Sequence, residues 1–371
     1  MAAFAAGLVW LHSMAAAFAF GALLGLAGVC AFKTTRWHTA ALLFAAIAGG
    51  LALTELAAGF VLTQPVGDAV KVYRPSDWMV NDSILGYRPR PGTQVEAVAT
   101  WRNETVFRRT YTIDDTGARV TPGSASAGDT YLFIGDSFVF GTGLADDETL
   151  PSQFAQALGS HDAGARAHVV NLGVPGYGIN QLARALETGI YDRHVTGPVK
   201  AVVTWIIPAQ LERVTGDADW LGASPRYVIG ADGVPVYTGS FNAHRLMDPV
   251  DGLAYLARTK MKSVSIATGR AMDRASADLF VALLSRLKQL VAQRYKAPLV
   301  VIYQWPLPRP TARDGLLMPT LEAIERLDTP KIAVSSLIEG DQPSYVIPHD
   351  GHPSAVFVRM VAKALEAQRG F

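Results

Sequence analysis

A serine near the middle of the chain and an Asp/His pair near its C-terminus have the types needed for attack on a carbonyl carbon. Ser137 closes the tripeptide Gly135-Asp136-Ser137, directly after the apolar run Tyr131-Leu132-Phe133-Ile134, and Asp350 and His352 share the segment Asp350-Gly351-His352-Pro353 near the C-terminus. A serine hydroxyl is a poor nucleophile at neutral pH. It needs an imidazole to take its proton and a carboxylate to orient that imidazole. Ser137, His352 and Asp350 are the candidates for these roles. Asp136 is read differently, as a turn residue whose carboxylate bonds nearby amides.

Such a trio works only if strands and helices bring it together. Tyr131 to Ile134 reads as a buried strand, Val169-Val170 as part of a second, Val202 to Ile207 as a third, Leu299 to Tyr303 as a fourth, and Ile332-Ala333-Val334 as the start of a fifth. Helical patterns alternate with them. One starts near Leu150, with Pro151 in its first turn and Gly159 past its end. Another starts near Asn180. Leu279, Leu283, Leu284, Leu287, Leu290 and Val291 repeat at helical spacing, and Pro353-Ser354 open a last helix running to about Ala367. This alternation implies an α/β class fold with a parallel sheet and helices on both faces. Ligands in such sheets bind at the carboxyl ends of the strands, where the Ser137 turn stands.

Two segments do not follow the alternation. Residues 67–128 are punctuated by Pro, Gly and Asp; the β-prone runs 93–100 and 106–113 flank Arg102-Asn103-Glu104-Thr105, and Asp114-Asp115-Thr116-Gly117 reads as a turn. A small β-rich subdomain or cap is expected there. Residues 208–275 are too long for a simple connection, and Tyr227-Val228-Ile229 with Val234 to Tyr237 suggests a hairpin inside them. Following the third strand, this insertion is expected as a lid or substrate wall, or else as a stabilising elaboration away from the site.

In this context the sequence resembles the SGNH (GDSL-type) hydrolase family over residues 130–371. Gly135-Asp136-Ser137 is similar to the family's first block, Asn171-Leu172-Gly173-Val174-Pro175-Gly176-Tyr177-Gly178 to its second and Asp350-Gly351-His352-Pro353 to its last. The resemblance implies a three-layer α/β/α, flavodoxin-like hydrolase domain over 129–371. It makes Ser137 the nucleophile, His352 the base and Asp350 the orienting carboxylate, with the N–H groups of Ser137 and Gly176 as the oxyanion hole. Gly176 suits that role because its missing side chain lets a substrate approach the backbone. Two departures stand out. The third block usually carries Gly-x-Asn-Asp, whose asparagine is a further oxyanion donor; here Ala209 stands at its position, in Ile207-Pro208-Ala209-Gln210-Leu211-Glu212-Arg213, and Gln210 is the amide that could replace it. The last block usually reads Asp-x-x-His, whereas Asp350 is two residues before His352 and His349 is three. Trp205, Trp220 and Trp305 lie near strand ends, where they could stack on sugars or simply pack.

Residues 7–32 and 39–62 are almost entirely apolar, each long enough for the ~20 residues that cross a bilayer core. Residues 1–66 are therefore expected as a two-helix membrane anchor in contact with lipid. Lys33 and Arg36 between the spans place that loop in the cytoplasm and residues 67–371 outside it. Gly21, Gly25 and Gly28, with Gly49-Gly50, would let the helices approach closely. Glu55, ionisable and within the second span, is either a near-interface carboxylate or a relay. The formal net charge of +1 and the absence of a dense basic run argue against nucleic acid as a partner. With Cys30 as the one cysteine, no disulfide or zinc-thiolate site can form within the chain, and the histidines show no metal-ligand spacing, so neither metal nor cofactor is expected. An anchor of this kind is like those of bacterial inner-membrane members of the family. The expectation that follows from resemblance and location is a periplasmic or extracytoplasmic serine esterase removing acyl groups, acetyl first among them, from a cell-surface or exported glycan. Transfer of the acyl group onto a polysaccharide, and a catalytically weak glycan-binding or assembly factor that keeps the fold, are the alternatives.

Overall fold

The computed structural model describes residues 14–31, 36–62, 69–161, 167–261, 263–264, 274–304, 314–338 and 343–368. Two compact units make up the chain: Met1–Val66 with Arg245–Ala271, and Gly67–His244 with Met272–Phe371. The smaller unit begins with helices α1 (Met14–Ala31) and α2 (Arg36–Leu62). They pack closely where small residues face each other, and a methyl group on Gly25 would lie 2.8 Å from the Ala45 side chain. Within α2, Arg36–Ala58 is long and apolar enough to cross a membrane; the apolar stretch of α1, Ala17–Ala31, is shorter. Of the first expected span, residues 7–13 and 32 lie outside the described residues. Glu55 is buried, and its Oε1 accepts hydrogen bonds from the backbone N–H (3.0 Å) and the hydroxyl of Ser263 in the same unit.

The larger unit opens with β1 (Val70–Arg74), β2 (Met79–Asp82), β3 (Gly86–Pro89), β4 (Gln94–Trp101) and β5 (Glu104–Thr112). β4 pairs antiparallel with both β1 and β5, and β2 with β3. Arg102 and Asn103, both at positive φ, join β4 to β5 in the turn geometry that matches strand twist. Asp114 Oδ1 accepts from Thr116 N, Thr116 Oγ1 and Ala118 N, which fixes the turn after β5. Alternate residues of these strands point inward: Val95, Ala97, Phe107 and Tyr111 share one hydrophobic core with Phe133, Phe140 and Phe154 of the following α/β body.

That body holds α3 (Ser137–Phe140), α4 (Leu150–His161), α5 (Ile179–Thr188), α6 (Ala209–Arg213), α9 (Arg274–Tyr295), α10 (Asp314–Arg326) and α11 (Ala355–Ala367); α7 (Phe241–Met247) passes into the smaller unit after His244, and α8 (Pro249–Lys260) belongs to the smaller unit. Its sheet has five strands, β6 (Asp129–Gly135), β7 (Ala167–Gly173), β8 (Val199–Ile206), β11 (Leu299–Tyr303) and β12 (Lys331–Ala333), in the order β12-β11-β8-β6-β7 and parallel throughout. Strand periodicity divides β6 between two cores. Tyr131 and Phe133 meet Phe154 of α4 and Phe357, Val358 and Val361 of α11; Leu132 and Ile134 meet Leu182 and Leu186 of α5 and Phe280, Leu283 and Leu287 of α9. The connection from β6 runs to β7 on one side and the chain returns to β8 on the other, so the switch point of the sheet lies at the carboxyl end of β6.

Two boundaries differ from the sequence expectation. Gly159 lies inside α4, not past its end; one glycine costs a helix about 1 kcal/mol, which the burial of Phe154, Ala155 and Leu158 offsets. The insertion 208–275 is divided as well. Its hairpin, β9 (Pro225–Ile229) with β10 (Pro235–Ser240), belongs to the larger unit, whereas Arg245–Ala271 belongs with α1 and α2.

Candidate active site

Ser137 is the first residue of α3, immediately beyond the end of β6. Asp136 caps this helix: its Oδ1 accepts from Phe138 N at 3.0 Å, while Oδ2 accepts from Arg213 Nη1 at 2.7 Å and Gln210 Nε2 at 3.1 Å. The carboxylate is fully buried, so the arginine compensates a charge that would otherwise be costly. Arg213 Nη1 also donates to Tyr177 O at 2.7 Å, tying the Ser137 turn to the loop that carries Gly176. Close packing completes the turn. A side chain on Gly173 would come within 2.2 Å of Phe140 N, so only glycine lets β7 approach α3 this closely.

The structure brings Ser137, His352 and Asp350 into one hydrogen-bonded row. Ser137 Oγ lies 2.8 Å from His352 Nε2, and His352 Nδ1 lies 2.8 Å from Asp350 Oδ2. A neutral ring satisfies both contacts with its proton on Nδ1, donated to the carboxylate, and Nε2 free to accept from the serine. Asp350 and His352 sit on a short loop closed by Ile347 N donating to His352 O at 2.8 Å, and Ser354 caps the helix that follows by accepting from Phe357 N. Asp350 is therefore not the cap of α11; its carboxylate faces the imidazole. His349, at the more usual carboxylate spacing, turns elsewhere: its ring stacks on Trp101 with centroids 3.7 Å apart.

Lys71, on β1, supplies a partner that no sequence signal pointed to. Its ammonium forms an ion pair with Asp350 Oδ1, the carboxylate oxygen not facing His352. Burial alone pushes the Asp350 carboxyl up, but the hydrogen bond and charge of His352 and those of Lys71 outweigh it and hold the group below its ordinary value. A second cation, Arg119, is buried beneath the turn. It donates to Phe140 O, Gly141 O and Leu144 O, each at 2.7 Å, and to Asp146 Oδ1 at 2.9 Å, with its guanidinium against the rings of Tyr111 and Phe140. The three carbonyls stand at and just after the end of the short helix α3, where Phe140 O also accepts from Asn171 Nδ2 and Gly141 O from Leu144 N, so Arg119 completes the pairing of that end. Segment 67–128 thus contributes an ion pair to the row and a clamp beneath the serine.

On the loop after β7, Gly176 adopts φ +83°, and a side chain there would press on Tyr87 Oη (2.7 Å) and Trp220 Nε1 (2.8 Å). Tyr87 Oη donates to Pro175 O and Trp220 Nε1 to Gly176 O, at 2.9 and 3.2 Å, so two aromatic residues set this loop. Ser137 N–H lies in the first turn of α3, where a helix leaves its N–H groups without internal partners. Gln210 does not complement them. Its Nε2 donates to Asp136 Oδ2 and to Trp205 O (3.2 Å), so the amide expected as a substitute oxyanion donor instead holds the Ser137 turn. Trp205 is buried in the core, Trp220 is 55% exposed beside Gly176, and Trp305 lies outside the described residues.

No protein-family model matches the chain, and comparison with curated proteins gives no match. Similar solved structures include LAE5, an α/β hydrolase from the metagenome of Lake Arreo, Spain (15% identity, 66% of this chain and 96% of that one, TM-score 0.40). Others are Axe2, an acetylxylan esterase from Geobacillus stearothermophilus (16%, 67% and 97%, TM-score 0.37), and a lipolytic protein of the G-D-S-L family from Desulfitobacterium hafniense (9%, 65% and 99%, TM-score 0.36). Likeness at this level carries no functional inference.

Proposed function

We propose that this protein is a membrane-anchored serine esterase of the SGNH type that releases acyl groups, acetyl in the first instance, from a glycan outside the cytoplasmic membrane of a bacterium. The observation that carries the reading is the continuous row of contacts from Ser137 through His352 to Asp350. In this mechanism Ser137 Oγ attacks the ester carbonyl as its proton passes to His352 Nε2, and Asp350 stabilises the imidazolium that forms. Negative charge on the carbonyl oxygen is met by the N–H groups of Ser137 and Gly176. Collapse of the tetrahedral species breaks the bond to the sugar oxygen, which takes the proton from His352 and leaves as the free hydroxyl. A water molecule, deprotonated by the same imidazole, then releases the acid and restores the serine.

The glycan is supported by Trp220, whose exposed indole stands at the rim beside Gly176, where an aromatic face suits the apolar face of a sugar ring. The same platform favours a sugar as acyl acceptor, so transfer to a glycan hydroxyl is a second reading that uses the same row. Anchoring is supported by the length and apolarity of α2 and by the apolar α1 packed against it.

The test is fluorophosphonate labelling and aryl acetate hydrolysis by the full-length protein, wild type against Ser137→Ala. Both activities should vanish in the variant. Hydrolysis that persists unchanged would refute the mechanism, and a wild-type serine inert to the probe would favour a catalytically weak binding role. Free acetate from an acetylated oligosaccharide, against acetylated acceptor, separates hydrolysis from transfer.

A further inference from the structure

The smaller unit contains a helix turned inside out. On α8 the exposed positions are Pro249, Val250, Leu253, Leu256 and Lys260, whereas Asp251, Tyr255, Arg258 and Thr259 are half-buried. Val250 is 77% and Leu253 68% exposed, and Leu246 and Met247, just before the helix, are 84% and 73% exposed. Five large apolar side chains within eleven residues thus face outward. Polar groups beside them are less exposed: Arg245 lies over the Tyr255 ring at 3.4 Å, both half-buried, while exposed Asp248 caps α8 by accepting from Val250 N and Asp251 N. In water this arrangement is backwards, because a surface helix gains by burying its leucines and hydrating its charges.

We infer that residues 246–256 lie in the membrane interface, with the stripe Leu246, Met247, Val250, Leu253 and Leu256 in contact with phospholipid. Three observations select lipid as the occupant. The stripe belongs to the same compact unit as α2, whose own leucines are equally exposed, Leu43, Leu53 and Leu56 among them, so the two apolar surfaces are parts of one body. The segment is fastened to α2 within that body: buried Glu55, the ionisable residue of the span, accepts from the backbone N–H and hydroxyl of Ser263. A polar group in a span is tolerated where it finds such a partner. Finally, exposed Lys260 ends the helix, as expected of an interfacial helix whose basic end meets headgroups while its apolar face sits about 5–10 Å into the acyl boundary. The role of Glu55 then becomes structural: it ties the interfacial helix to the span.

This inference rests on the anchored reading above, and one experiment separates the two. In a Cys30→Ala background, the full-length protein carries a nitroxide at Leu53→Cys, Leu253→Cys or Asp232→Cys, the last on an exposed turn. Each is placed in nanodiscs of phosphatidylcholine and phosphatidylglycerol. Collision with oxygen, enriched in the bilayer, is compared with collision with a water-soluble nickel chelate. Retained aryl acetate hydrolysis shows that each labelled protein is folded. The oxygen-to-nickel ratio at position 253 should match that at 53 and exceed that at 232 several-fold. A high ratio at 53 with a water-like ratio at 253 overturns the inference and leaves the anchor standing. Water-like ratios at both overturn the anchor and the inference together. Low collision with both reagents at 253 means that protein covers the stripe, which also overturns it.

Discussion

Replacing Lys71 by methionine keeps most of the side chain's length and removes its charge. In the wild type, Asp350 is buried with one carboxylate oxygen on His352 and the other on Lys71. Two unit charges at ~4 Å attract by about 4 kcal/mol at an effective dielectric constant of 20 and by about 1 kcal/mol in water. The Lys71 side chain is 26% exposed, so the pair lies between those limits and the variant should lose about 1–3 kcal/mol at pH 7. For a domain of this size that is a fall of ~2–4 °C per kcal/mol. The pH dependence is the sharper readout. The Asp350 carboxyl is held below its ordinary value, so its pairing stabilises the fold above the unfolded-chain value and is lost as pH falls through the folded value. The stability difference between wild type and Lys71→Met should therefore be constant near neutrality and vanish in acid, where a protonated Asp350 no longer needs a cation. Urea unfolding of the full-length protein in detergent, followed by tryptophan fluorescence from pH 7 to pH 3, measures it. Hydrolysis by the variant should also fail at a higher pH than wild type on the acid side, because its carboxylate is protonated sooner; Lys71→Arg should restore both. A difference in stability that is the same at pH 3 as at pH 7 would refute the electrostatic account and leave only packing of the lysine stem.

Gly176→Ala should lower kcat for a small aryl acetate by about tenfold or more, toward the 10²–10³ typical of a lost oxyanion donor, because a methyl group at φ +83° meets Tyr87 and Trp220 and displaces the N–H. Steady-state kinetics with a folded variant of unaltered kcat would remove Gly176 from the oxyanion hole. Arg119→Met should destabilise the larger unit by about 3 kcal/mol or more, since it takes the donor from Leu144 O, one of two donors from Phe140 O and from Gly141 O, and the countercharge from Asp146. Thermal unfolding measures this, and a shift within error would mean that water replaces the guanidinium.

The parallel sheet was legible because each of its strands is a short apolar run bounded by turn residues, and because helical leucine spacing fills the gaps, as in Leu283, Leu284 and Leu287 on α9. Ser137, Asp350 and His352 were legible as candidates because their residue types suit a nucleophile, a carboxylate and a base, and the structure places the three in one hydrogen-bonded row; Ser137 also follows a strand. Lys71 and Arg119 were not. Each acts across a long stretch of chain, on a segment whose β-pattern reads only as alternation, and a lysine or arginine in such a strand ordinarily points to solvent. Gln210 was misjudged because adjacency to Ala209 says nothing about where an amide points; on α6 it turns inward to Asp136. Gly159 shows that tertiary packing can carry a helix through a residue that would end it in isolation.

The smaller unit is discontinuous in sequence, and this governs how the protein can be handled. Cutting the chain at residue 66 removes α1 and α2 but leaves Arg245–Ala271, with its outward leucines and the polar partners of Glu55, attached to the catalytic body. A truncated protein of that kind carries a bare apolar stripe and should self-associate, so its poor solubility would say nothing about the fold of the sheet. On the anchored reading, soluble protein for crystals or screening calls for two excisions: residues 1–66, and residues 245–271 replaced by a short Gly/Ser bridge from His244 to Met272. The boundary between the two units crosses the chain three times, after residues 66, 244 and 271.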